Sequence, residues 1–98
     1  MKLENGNLVL NIDEIKLLSL VTMQQIDPQY TVEEFIGSMA SIKAESEEYI
    51  RETQSKPDFS KRDELKIGVT EAVIEVCEML SERAYSIVQD AGYTIKWQ

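Results

Sequence analysis

Carboxylates are the one reactive group that this chain supplies in number, and in one stretch their spacing is regular. In TEAVIEVCEMLSERA, residues 70 to 84, Glu71, Glu75, Glu78 and Glu82 follow one another at intervals of four, three and four. Those intervals set them on one ridge of an α-helix. An earlier segment adds Glu45, Glu48 and Glu52 at the same kind of interval. Carboxylates in such rows can hold a hard divalent cation if their oxygens converge, or face a positively charged surface if they do not. No other residue type competes for a chemical role. Histidine is absent, which removes the usual general base, the commonest metal ligand and every Ser-His or Cys-His nucleophile pair. The single cysteine, Cys77, lies at the edge of an apolar stripe with no base near it, the setting of a small buried hydrophobe and not of a reactive thiol. No Gly-rich phosphate loop occurs. The chain is therefore read as a non-enzyme, with no catalytic residue, no metal site and no cofactor.

In residue type, Glu47, Glu48 and Glu52 together with Glu71, Glu75 and Glu78 resemble the magnesium-binding glutamates of helical nucleotide pyrophosphohydrolases of the MazG type. That family's pattern has two adjacent glutamates with a third three residues on, followed later by a glutamate and an aspartate three apart. Here Glu52 stands four residues beyond Glu48, and Glu75 is followed by Glu78 where the pattern has aspartate. The resemblance implies a magnesium-dependent nucleotide pyrophosphohydrolase as one alternative. Against it, evenly spaced glutamates on a single ridge diverge into water, and a hard cation needs converging oxygens.

Charge points to the other use of the carboxylates. Eighteen acidic residues against ten basic ones give a net charge of −8, which repels nucleic acid and anionic membranes and attracts basic proteins. The acid is concentrated: residues 31 to 54 carry −4 and residues 69 to 92 carry −4, while residues 55 to 68 carry +1. A small acidic interaction module is expected, of the kind by which phages and mobile elements inhibit nucleic-acid-binding proteins, its glutamates imitating spaced phosphates. The plain alternative is a solvated, solubilising face, which most charge runs are. A lone cysteine permits no intrachain disulfide, and MKLENGNLVL has no apolar run behind basic residues, so a cytoplasmic location is expected. No stretch is long and apolar enough to span a membrane.

The elements that must carry these residues follow from turn and cap signals. At 98 residues with 43% hydrophobic content, the chain reads as a single domain, residues 1–98, able to build a core without staples. Asn5-Gly6 is the signature of a two-residue hairpin. Leu8, Leu10 and Ile12 are expected along one side of its second strand. GYTIKW alternates like a strand at the other end. Between them lie three helices. The first runs from near Asp13 to before Pro28 and is apolar all round, with Leu17, Leu18, Leu20, Val21, Met23 and Ile26. The second begins at a Thr31/Glu34 capping box and continues to about Gln54. The third follows SKPDFSK, is capped by Ser60 or Asp63, and ends at Gly92 after about 28 residues, or about 42 Å. The fold class is α+β, mostly α: three helices, one of them long, on a small antiparallel sheet made by the N-terminal hairpin and the C-terminal strand.

This inventory predicts self-association. A helix apolar on all sides must be buried on all sides, and the third helix carries a second apolar row, Ile67, Ile74 and Tyr85, almost opposite its main one. A homodimer across Leu17, Leu20, Val21, Ile67, Ile74, Tyr85 and Arg83 would cover both. Such a helical homodimer, recognised through apolar surface as a structural or adaptor subunit, is the further alternative to an acidic inhibitor. Arg83 falls within the main apolar row, where a charge needs a partner. Asp90, two turns along the same face, is the acid expected to answer it.

Overall fold

The structure is a computed structural model that describes residues 1–97. The chain starts with strand β1 (Lys2–Glu4), turns at Asn5-Gly6 and returns as β2 (Asn7–Val9). Both turn residues have positive φ, 51° and 79°, as a type I′ turn requires, and glycine supplies the second at no steric cost. Helix α1 (Ile12–Thr22) follows, capped by Asn11. The Asn11 side chain accepts from the Glu14 N–H and the Glu14 carboxylate accepts from the Asn11 N–H, so two orphan donors are satisfied reciprocally. A short strand, β3 (Gln29–Thr31), leads directly into helix α2 (Val32–Gln54), whose first turn is capped by Thr31 accepting from the Glu34 N–H. Helix α3 (Lys61–Asp90) starts at a Ser60/Asp63 capping box, and Gly92 at φ 68° ends the run.

Helices α2 and α3 form a long antiparallel hairpin, and α1 and the sheet pack near one end of it. The core lies there, built from Leu8 of β2 and Leu10 just after it, Leu18 of α1, Phe35 and Met39 of α2, and Leu80 of α3. The other end projects beyond this core, so the molecule measures 50 × 27 × 19 Å with a radius of gyration of 15.4 Å. A compact chain of this length would have a radius near 13 Å.

The fold class agrees with the sequence reading, but the third strand does not come from the C-terminus. The sheet order is β1-β2-β3, antiparallel throughout, with Leu8 opposite Leu3 on one side and Tyr30 on the other. Gln29–Thr31 reaches the free edge of β2 soon after α1, so no edge remains there for residues 93–97. Tyr93 and Ile95 are half-buried and Thr94 and Lys96 exposed, so the alternation is real. It is held by side chains: Tyr93 Oη donates to the Glu33 carboxylate at 3.2 Å, and the Lys96 N–H donates to it at 3.1 Å. The chain ends do meet, since Tyr93 packs beside Gly6. Trp97 remains exposed. Ile12 is exposed too, because it opens α1 and does not extend β2.

The first helix is not buried on all sides. It has eleven residues, stops at Met23 in the left-handed region with φ 56°, and buries only Glu14 and Leu18 fully. Glu14 explains why a carboxylate faces the core. Its oxygens accept from the Met1 α-amino group at 2.8 Å, from the Asn11 N–H at 2.9 Å and from Arg83 at 2.6 Å. Arg83 thus has its acid partner on α1 and not at Asp90. Burial on its own pushes the Glu14 carboxyl up, but the hydrogen bonds from the Met1 amine, Asn11 and Arg83 outweigh it and hold it below its ordinary value of 4.5. A carboxyl with a depressed folded value adds stability above its unfolded value and loses it as pH falls through the folded one. Glu14→Gln should therefore lower unfolding stability at neutral pH by about 2–3 kcal/mol. Denaturant melts of both proteins from neutral pH down through 4.5 should converge at the acid end; a constant gap across that range counts against this role for Glu14.

Candidate functional site

On α3 the ridge appears as the spacing requires: Glu71, Glu75, Glu78 and Glu82 are all exposed. Only Glu78 has an intrachain cation, Lys43 of α2 at 3.5 Å. Among the described residues, the other three have no lysine or arginine nitrogen within 4.0 Å. The ridge runs about 16 Å along the helix from Glu71 to Glu82. Beside its upper half lies a shallow hollow of 320 Å³ between α2 and α3, floored by Ile36, Met39 and Ala40 and rimmed by Lys43, Glu82 and Tyr85.

The second acidic set is elsewhere. Glu45 lines a hollow with Val21 and Thr22 of α1 and with Tyr49, Thr70 and Val73, so it lies on the face of the helical hairpin that carries α1. No residue of α1 lines the hollow of Glu78 and Glu82. Glu48 is bonded to Arg51, whose guanidinium lowers the carboxyl from its ordinary value of 4.5. Glu52 is exposed on the same helix. The two rows, Glu45, Glu48 and Glu52 on α2 and Glu71 to Glu82 on α3, therefore present to different sides and do not form one site. Among the described residues no group of three His, Cys, Asp or Glu side chains is placed to hold a metal ion, so the converging oxygens of the pyrophosphohydrolase scheme are not assembled.

The apolar candidates are redistributed. Ile67 is only 7% exposed and Ile74 is half-buried. Both lie outside the cluster of Cys77, Leu80 and Ala84, yet they pack within the chain and are not free to serve between copies. Tyr85 is exposed at the rim of the hollow beside Glu82, and Arg83 is committed to Glu14. On α1, Leu17 and Val21 are half-buried, whereas Leu20 is 71% exposed. The largest exposed apolar side chains of α3 are instead Leu65 at 73% and Val69 at 69%. By spacing both lie in the main apolar row of α3, with Ala72, Val73, Val76, Leu80, Ala84 and Ile87, whose burial the periodicity predicts. The available signal was helix length: a row that continues past the end of its covering helix is uncovered from that point. Cys77 is wholly buried, and burial followed by the nearby Glu78 charge pushes its thiol above the ordinary value, which fits a packing role.

A further hollow, 590 Å³, opens between α1, residues 24–30 and α2, over Leu18, Phe35 and Met39. No buried side-chain polar atom among the described residues lacks a partner, so nothing in that hollow asks for a ligand. Comparison with protein-family models, curated proteins and solved structures found no match.

Four like charges on one ridge oppose helix stability, because pairs at i and i+4 repel. Glu75→Lys places a cation four residues from Glu71 and three from Glu78. The substitution should raise the thermal midpoint by about 2 °C, measured at low salt, and the gain should shrink at high salt. A fall in midpoint would mean that Glu75 makes a stabilising contact beyond those described.

Proposed function

We propose that this chain is a non-enzymatic protein-binding module whose α3 carboxylates engage a basic protein. One observation supports the reading above the rest: Glu71, Glu75 and Glu82 form an exposed row with no lysine or arginine within reach among the described residues. A solubilising surface is best built from mixed signs, and lysine at these positions would stabilise the helix. A regular row of unanswered carboxylates suits a groove that evolved to grip spaced phosphates. The natural partner class is thus a nucleic-acid-binding protein, and the natural role is inhibition by imitation, as in phage and mobile-element inhibitors. Complementary charge would speed encounter and make affinity sensitive to salt. No helix among the described residues is long and apolar enough to cross a membrane, and we place the activity in the cytoplasm.

A second reading, self-association, is favoured by the exposure of Leu65, Val69 and Leu20. A structural or adaptor homodimer recognised through such surface would hold its partners at high salt.

Capture from cell lysate by the immobilised chain tests the leading reading, with two triple variants as controls. Glu71, Glu75 and Glu82 all changed to Lys, and Glu45, Glu48 and Glu52 all changed to Lys, alter net charge equally on different faces. A specific partner should be released between roughly 0.1 and 0.5 M salt. The α3 variant should lose it and the α2 variant should keep it. Equal loss with both variants would reduce the ridge to bulk charge, and capture that survives high salt would favour the apolar reading.

A further inference from the structure

The exposed apolar side chains of α3 are not scattered. Leu65, Val69, Ala72, Val76 and Met79 follow at intervals of four, three, four and three, the seam spacing of a coiled coil. Four of the five are exposed and Val76 is half-buried. The same register continues to Arg83, which is bonded to Glu14 of α1. Helix α1 runs antiparallel to α3 and ends with Val21 and Thr22 beside Thr70 and Val73. It therefore packs beside the upper half of this face, where Ala72 and Met79 stay exposed, and ends short of Leu65 and Val69.

We infer that this face binds a second copy of the same chain, α3 against α3, antiparallel about a two-fold axis between Val69 and Ala72. The inference rests on the self-association reading above and specifies its surface and direction. In an antiparallel pair each seam layer joins one position type to the other. The layers become Leu65 on Val76, Val69 on Ala72, and the same two again by symmetry.

Charge selects this direction. The lower end of α3 carries Lys61, Arg62 and Lys66, and its upper half carries Glu75, Glu78 and Glu82. Running the copies in opposite directions brings each basic end to the partner's acidic half, with Lys61 beside Glu82 on both sides of the axis. A parallel pair would instead set Lys61 beside Lys66 and Arg62 against Arg62, like charges in both cases.

Gly68 is an independent sign of close approach. It sits inside α3, where glycine costs about 1 kcal/mol against alanine. A side chain there would meet nothing within 4 Å in its own chain, so internal packing does not explain it. In the antiparallel register it flanks the axis opposite Glu75, where an absent side chain lets the two backbones near each other.

Sedimentation equilibrium of the whole chain at roughly 100 μM tests the inference. The mass should be twice 11.2 kDa. Leu65→Asp should return it to the single-chain mass with unchanged helix content, since Leu65 touches little of its own chain. Lys61→Glu should weaken the dimer at least tenfold, and Lys61→Glu combined with Glu82→Lys should restore it, because the pair is then reversed on both sides. A single-chain mass for the unaltered protein would overturn both the surface and the self-association reading. A dimer that Lys61→Glu strengthens, or that the double exchange does not restore, would overturn this orientation and leave self-association standing. Leu65→Asp leaves every ridge glutamate in place, so salt-sensitive capture by that variant separates the partner-binding reading from this one.

Discussion

Helix α3 has thirty residues and α2 twenty-three, yet the element that packs across them, α1, has only eleven. A helix rises 1.5 Å per residue, so α1 covers about 16 Å of a helix about 45 Å long. That mismatch in length governs the rest of the surface. At the covered end, three layers meet and exclude water from Leu8, Leu18, Phe35 and Leu80. At the uncovered end the hairpin has only two helices. Each buries one seam against the other, as Ile67 and Thr53 do, and leaves its remaining faces to solvent.

The position of α1 is in turn held by a charge that the core would otherwise reject. Glu14 is almost fully buried, and it is tolerated because its oxygens are saturated by the Met1 amine, the Asn11 N–H and Arg83. One carboxylate thus ties the start of the sheet, the cap of α1 and the upper part of α3. Buried ion pairs contribute little net stability and much geometric definition where every partner is present. Here the definition decides how far along α3 the short helix sits, and with it which part of the apolar seam stays bare.

The surface that results divides by chemistry. One side of α3 shows carboxylates, the lower end of another side shows aliphatic side chains flanked by Lys61, Arg62 and Lys66, and the acids of α2 look a third way. The acidic ridge and the apolar seam lie roughly a third of a turn apart on one helix, and they share Glu82, which Lys61 of a second copy would flank. The acidic chain would otherwise repel its own copy. The local segment between α2 and the middle of α3, residues 55 to 68, carries +1, and it lies where a second copy would need it.

Much of this was legible in the residues alone, because it depends on contacts close in sequence. Asn5-Gly6 demanded positive φ, Thr31 and Ser60 announced helix starts, Gly92 a stop, and the glutamate intervals a single ridge; each is settled within a turn or two of chain. Cys77 as a packing residue followed from the absence of any base. The rest turned on encounters between distant segments. Gln29–Thr31 took the edge of β2 ahead of the C-terminal segment because it arrives there directly, while residues 93–97, with the right alternation, were left to side-chain bonds from Glu33. Arg83 met Glu14 and not Asp90. The two apolar rows of α3 exchanged their expected places beyond the end of α1, burying Ile67 and exposing Leu65. Periodicity states which residues share a face; only the packed chain decides where a neighbouring element ends, and so which of those faces remains in water.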